Sequence, residues 1–184
     1  MTETVTILGI NGNIGRAAAL AFKQAGWRVI GFGRSNAHPI EGVEFTSGSA
    51  DNTSDMARDT QTAQVVFNGL NLPYDKWFGG AAENQLSRVI AASEGKTLLF
   101  PGNIYNYRAT DRVIIPALPQ VPQTERGGIR VRMENMLAEA AADQQLQVVI
   151  LRAGDFFGPD QRFGLFQQMI LREAHKGKIA LEAD

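Results

Sequence analysis

The sequence contains no cysteine among its 184 residues. That absence excludes disulfides, a thiolate nucleophile and cysteine-based zinc sites. The sequence also has no excess of one sign of charge. It contains 18 Lys and Arg and 19 Asp and Glu, so the net charge is −1. Without a basic block, the chain does not have the composition of a nucleic-acid-binding protein.

Long apolar runs are missing as well. No stretch reaches the roughly 18 apolar residues of a membrane span, and residues 1–4 do not begin a signal peptide. The sequence therefore predicts a cytoplasmic protein without a membrane partner. Because 44% of the residues are hydrophobic and 20% are charged, we expect a folded chain with one core, in a single domain covering residues 1–184.

What the sequence does contain is an alternation of short apolar runs and helical stretches. Strands are predicted at 5–8, 28–32, 43–45, 64–68, 96–100 and 147–151. Helices are predicted at 13–25, 54–62, 77–93, 127–144 and 163–176. The proline-rich stretch 101–124 is expected to be a long ordered loop. This alternation predicts an α/β fold with a doubly wound parallel sheet, strand order 3-2-1-4-5-6, in three αβα layers.

A glycine turn joins the first strand to the first helix. Gly9, Gly12 and Gly15 are spaced G-x-x-G-x-x-G, and a turn of this kind lets a diphosphate approach backbone N–H groups at a helix N-terminus. The pattern predicts a dinucleotide site, or else a plain strand-to-helix turn. The residues assigned to cofactor binding here are Gly9, Asn11, Gly12, Asn13, Ile14 and Gly15.

The end of the second strand bears on the choice of dinucleotide. An NAD site places an acidic residue about 20 residues beyond the turn, where it holds the ribose 2′-hydroxyl. No acidic residue occurs in 31–40, and Arg34 stands there instead. A guanidinium at this place can pair with a 2′-phosphate. We therefore predict NADP(H) over NAD(H), the alternative being that Arg34 is a solvated surface residue.

The glycine spacing resembles that of the short-chain dehydrogenase/reductase superfamily, in its extended and atypical members. The segments 100–105, 122–134 and 151–159 are similar to segments of its NAD(P)-dependent epimerase/dehydratase-like branch. The likeness covers about residues 4–159. It implies a Rossmann-type nucleotide-binding domain and a small-molecule substrate.

The resemblance also implies roles for single residues. Asp51 after the third strand takes the place of an acid that accepts from the adenine amino group, although a turn or N-cap role is equally open. Backbone at Asn68, Gly69 and Leu70 takes the place that passes the cofactor ribose. Asn103 falls where the family carries Ser or Thr.

The departures from the family concern the chemistry. The superfamily's Tyr-x-x-x-Lys pair is absent, since its place on the helix 127–144 aligns with Gly128 and Arg132. Arg132 remains able to hold the ribose hydroxyls, but it does not titrate near neutral pH. Tyr105 and Tyr107, just beyond the fifth strand, are then the candidate proton donors, or are ordinary aromatic residues of the loop.

Three functions follow from this reading. The first is an NADP(H)-dependent epimerase/dehydratase-like or reductase-like enzyme acting on a small carbonyl or a sugar nucleotide. The second is a non-catalytic NADP(H) sensor, and the third is a structural domain with a vestigial turn. No metal site is expected, a homodimer through the helices at 77–93 and 127–144 is plausible, and the C-terminal substrate-binding part of extended members is expected to be lacking.

Overall fold

The structure is a computed structural model that describes residues 2–36, 38–154 and 176–178. Its strands are β1 Thr4–Leu8, β2 Arg28–Gly33, β3 Glu44–Ser47, β4 Val65–Asn68, β5 Thr97–Gly102 and β6 Gln147–Arg152. Its helices are α1 Asn13–Gln24, α2 Thr53–Thr60, α3 Ala81–Ala92 and α4 Glu125–Ala142, with a 3-10 helix at Tyr74–Lys76. The helix predicted at 163–176 lies outside the described residues, apart from its last residue.

The six strands form one parallel sheet in the order β3-β2-β1-β4-β5-β6. Apolar clusters cover both of its faces. Ala19 of α1 packs with Ile7 and Val29 on one face, and Leu86 of α3 packs with Leu137 of α4 on the other. The predicted strand order and the αβα layers are confirmed. β1 is buried along its whole length, as is expected of a central strand in a parallel sheet that is covered on both faces.

Strand β5 is longer than predicted and includes Pro101 and Gly102, which pair with Leu151 and Arg152 of β6. A proline cannot donate to a strand ladder. It is accommodated here because the pairing of β4 with β5 already ends at Leu99. The extension carries the end of β5 toward the carboxyl edge of the sheet, where ligands bind in folds of this kind.

The third helix starts at Ala81, four residues later than predicted. Gly79 and Gly80 before it have φ angles of 66° and 82°, a left-handed conformation that an α-helix does not tolerate. Trp77 belongs instead to the preceding segment, where its indole N–H donates to the Leu72 carbonyl at 2.9 Å. With only 3% of its surface exposed, Trp77 fixes this segment against the core.

Helix α4 begins two residues earlier than predicted. Thr124 is its N-cap, and the Thr124 hydroxyl accepts from the Gly127 N–H at 3.1 Å. The buried face of α4 includes two charged residues, Arg130 and Glu134.

Candidate functional site

The glycine turn after β1 is a close contact between three backbone segments. Gly9 has a φ of 80°, and its N–H donates to the Phe32 carbonyl at 2.9 Å. A Cβ on Gly15 would overlap the Gly9 carbonyl oxygen, and a Cβ on Gly69 would lie 2.7 Å from the Leu8 carbonyl oxygen. Glycine is therefore required at these positions for α1 to pack against the ends of β1 and β4.

The N-terminus of α1 has none of the usual side-chain partners. Gly12 is the N-cap and provides no side-chain acceptor, and the first turn contains no acidic residue. Helix N-terminal N–H groups without such partners, together with the helix dipole, favour an anion. The turn can thus receive a phosphate without displacing a protein carboxylate.

The loop after β2 is tied to α1 by two hydrogen bonds. The Asn11 side-chain amide donates to the Ser35 carbonyl at 2.6 Å, and Arg16 Nη1 donates to the His38 carbonyl at 2.8 Å. Arg34 begins this loop and is exposed. Sequence reasoning missed Arg16, although it directly follows Gly15 and places a second cation beside the same loop.

A cleft of about 750 Å³ opens at the carboxyl edge of the sheet. Its walls come from the first turn of α1, the ends of β4, β5 and β6, the segment 70–77, and α3 and α4. Six residues assigned from the sequence line it, namely Ile14, Asn68, Gly69, Leu70, Asn103 and Tyr105. Residues from three separated parts of the sequence are thus brought together.

The two asparagines shape the strand ends at this cleft. Asn68 Oδ1 accepts from the Leu70 N–H at 3.2 Å, and Asn103 Oδ1 accepts from the Tyr105 N–H at 3.0 Å. Each is an Asx-type turn, in which a side chain mimics a backbone acceptor. These turns end β4 and β5 and bend the chain along the cleft wall.

Three other assigned residues lie elsewhere. Tyr107 is 6% exposed, and its ring lies beneath the Arg152 guanidinium at 5.0 Å. Arg132 pairs with Glu83 of α3 at 2.8 Å and does not line the cleft. The Asp51 side chain is 88% exposed and lies 3.7 Å from Arg88.

Arg130 of α4 lines the cleft. Its guanidinium lies over the rings of Phe100 and Trp77, at 4.9 Å and 5.5 Å from their centroids, and its Nη2 donates to the Pro101 carbonyl at 2.5 Å. Burial lowers the pKa of Arg130, opposed in part by the charges of Glu134, Tyr74 and Tyr105. An arginine keeps its charge near neutral pH even so.

A buried polar network supports the same wall. Both carboxylate oxygens of Glu134 accept from Arg152, at 2.9 Å and 2.7 Å, and Oε2 also accepts from the Gln120 amide at 2.7 Å. Arg152 Nη1 donates further to the Asn103 carbonyl at 2.6 Å. The hydrogen bond to Glu134 raises the pKa of Arg152. The network ties α4, β6 and the loop after β5 into one unit.

Sequence reasoning did not single out Arg130 and Glu134. The i, i+4 spacing of the two residues places them on one face. That face also carries Met133 and Leu137. Two charged residues that share a helix face with apolar residues were the signal that could have identified Arg130 and Glu134.

Neither a protein-family model nor a curated protein matches the sequence. Solved structures do match. UDP-N-acetylglucosamine 4-epimerase from Bacillus cereus has a TM-score of 0.80 at 15% identity and matches 96% of this chain. UDP-glucuronic acid 4-epimerase from Bacillus cereus, in complex with UDP-glucuronic acid and NAD, has a TM-score of 0.78 at 17% identity over 95% of this chain.

A short-chain dehydrogenase/reductase superfamily protein from Agrobacterium tumefaciens with bound NAD has a TM-score of 0.66 at 21% identity over 82% of this chain. This chain spans 62%, 64% and 48% of the lengths of these three proteins, in the order given. The chain therefore shares the fold of these three proteins. Within the described residues, no helix is both long and apolar enough to cross a bilayer.

Proposed function

We propose that this chain binds NADP(H) in the cleft and serves as an epimerase/dehydratase-like or reductase-like enzyme on a small carbonyl or sugar-nucleotide substrate. The observation that carries the proposal is the glycine turn, whose uncapped helix N-terminus adjoins a cleft of about 750 Å³. A diphosphate at the N-terminus of α1 leaves the nicotinamide end of the cofactor to extend past Asn68 toward Asn103 and Tyr105. Asp51 stays a candidate for the adenine amino group.

The preference for NADP(H) rests on the loop after β2. Two of the similar solved structures contain NAD, which supports a nicotinamide dinucleotide as the cofactor class. The preference for NADP(H) is supported instead by the residues of this loop. Arg34 is exposed there, Arg16 is held beside the same loop, and no carboxylate occurs in 34–40. Two cations without an acidic residue favour a 2′-phosphate over a 2′-hydroxyl.

Calorimetric titration of the full chain with NADPH and NADH tests this preference. Arg34→Ala is expected to weaken NADPH binding by about tenfold or more, as loss of a charge-assisted contact does, and to leave NADH binding unchanged. Arg112→Ala changes an exposed arginine in the loop before α4 and serves as the matched control. Equal or tighter binding of NADH by the unaltered chain would contradict the proposal.

In the enzyme, hydride passes between nicotinamide C4 and the substrate carbon, and the protein provides orientation and a proton. Tyr105 is the better proton donor of the two tyrosines because it lines the cleft, whereas Tyr107 is buried under Arg152. Arg130, and not Arg132, is the arginine of α4 that lines the cleft. Turnover of NADPH on a panel of carbonyl compounds should be lost in Tyr105→Phe and retained in Tyr107→Phe.

A non-catalytic NADP(H) sensor is the second candidate. One observation favours it, namely that the sequence lacks the Tyr-x-x-x-Lys pair. A sensor predicts tight cofactor binding without turnover, and capture of a protein partner that depends on the NADP/NADPH ratio. If no dinucleotide binds at all, the turn is vestigial and the chain is a structural domain.

The proposal also includes a homodimer formed through α3 and α4. These two helices lie next to each other on one face of the sheet. Sedimentation velocity of the purified chain should then give a dimer. A monomer at all concentrations would contradict the homodimer and would leave the proposal of cofactor binding unchanged.

A further inference from the structure

Charge is distributed very unevenly around the cleft. Among the described residues that line it, Arg130 is the one charged side chain, and none is Asp or Glu. The other polar side chains are the amides of Asn68, Asn71, Gln85 and Asn103, and the phenols of Tyr74 and Tyr105. The cleft is therefore positive where Arg130 lies.

This cation has no carboxylate partner in the described part of the chain. Glu134, one helical turn away, directs both oxygens to Arg152. Arg130 itself donates to the Pro101 carbonyl, while its Nε is buried without an acceptor. It is only 7% exposed. Burying a charge without an ion-pair partner costs free energy. Folding has already removed most of the water from Arg130, so an anion that binds there does not have to desolvate this cation again.

The cofactor diphosphate does not explain this cation. The expected phosphate position is the N-terminus of α1, after β1, whereas Arg130 contacts Pro101 of β5. Strand β4 separates these two strands, and neighbouring strands are about 4.8 Å apart. The N-terminus of α1 and Arg130 are thus about 10 Å apart, measured across the strands of the sheet. This separation leaves Arg130 available to a second ligand.

We infer that the substrate carries a carboxylate next to its reacting carbonyl, as in a 2-oxo acid, and that Arg130 binds this carboxylate. The guanidinium lies over the Phe100 and Trp77 rings, and it faces the cleft with donors that no carboxylate of the described residues accepts. A planar carboxylate is a geometric match for a guanidinium. This inference rests on the proposed function, because it assumes that NADPH occupies the rest of the cleft.

The reaction balances with the groups present. Tyr105 and Arg130 line the same cleft. With the carboxylate on Arg130, the adjacent carbonyl lies near the phenol. Hydride from NADPH forms the new C–H bond, the carbonyl oxygen takes the Tyr105 proton, and solvent reprotonates the tyrosine. The products are a 2-hydroxy acid and NADP⁺.

The test compares two unreactive probes that differ in charge. Oxamate carries a carboxylate, and oxamide is its uncharged diamide of nearly the same shape. Calorimetry on the full chain saturated with NADPH should show oxamate binding about 10- to 100-fold tighter than oxamide, the factor of one hydrogen bond to a charged group. Arg130→Met should abolish that difference, and Arg130→Lys should restore part of it.

Arg28→Met is the control, because Arg28 lies at the amino end of β2 and pairs with Glu44 at the surface. It should leave oxamate binding unchanged. Equal binding of the two probes, no oxamate binding to the NADPH complex, or retained preference for oxamate in Arg130→Met would each overturn the inference. Failure of NADPH itself to bind would instead overturn the proposed function.

Discussion

Replacing Glu134 by glutamine tests the buried network behind the cleft. The substitution keeps the size of the side chain and removes its charge. It also turns one acceptor oxygen into an NH2 group, which would face donor groups of Arg152 or Gln120, since all three hydrogen bonds to Glu134 are accepted from donors. Arg152 would remain as an unpaired cation with a side chain only 21% exposed.

The expected loss is large. Removing one partner of a buried ion pair commonly costs about 3–5 kcal/mol, because the other charge is left uncompensated. The Glu134 side chain is 5% exposed and its shorter oxygen–nitrogen contact with Arg152 is 2.7 Å, so this pair belongs with buried pairs rather than surface pairs. Against a total stability of about 5–15 kcal/mol, the loss is a substantial share.

Urea unfolding followed by circular dichroism measures the effect. Glu139→Gln is the matched control, since it makes the same chemical change at an exposed position of α4, and should change the free energy of unfolding by less than about 0.5 kcal/mol. The double variant Glu134→Met with Arg152→Met should be more stable than Glu134→Gln, because no charge is left buried. A loss below about 1 kcal/mol in Glu134→Gln would refute the reasoning.

Three further predictions concern other positions. Gly127→Ala should destabilise the chain, because its Cβ would overlap the Tyr105 carbonyl oxygen, whereas Gly128→Ala, which meets only the Arg132 side chain at 3.6 Å, should stabilise α4 by up to about 1 kcal/mol in urea unfolding. Gly15→Ala should abolish NADPH binding in calorimetry, since α1 can no longer approach Gly9; retained binding would contradict this. The hydrogen bond from Arg28 lowers the pKa of Glu44 below 4.5, so this carboxylate contributes stability above about pH 4.5 that is lost as the pH falls through the lowered pKa. The stability difference between the unaltered chain and Glu44→Gln should shrink accordingly in urea unfolding at low pH.

Much of the fold could be predicted from local sequence. The apolar run before Gly9 and the spacing to Gly15 require a strand, a tight turn and a helix in succession. Repetition of that pattern, with right-handed crossovers, leaves few parallel topologies. The strand order is therefore determined by information that lies within short stretches, and it agrees with the structure.

The start of α3 could not be predicted in the same way. Gly79 and Gly80 are poor helix formers, but the left-handed conformations that they adopt depend on how the segment packs. Trp77 is held by the Leu72 carbonyl and by the core. A contact of this kind between the segment and the core is invisible to local pattern.

The candidate site, like the fold, could be predicted from the sequence only in part. The sequence by itself determined the glycine turn and placed Arg34, Asn68, Asn103 and Tyr105 at strand ends, because the carboxyl ends of parallel strands meet at one edge. Only the tertiary structure decided which arginine of α4 enters the cleft. Residues two apart on a helix differ by about 200° around its axis, so Arg132 points to Glu83 while Arg130 lies over Phe100. The packing of α4 against β5 chooses between those two faces, and no spacing within the helix can.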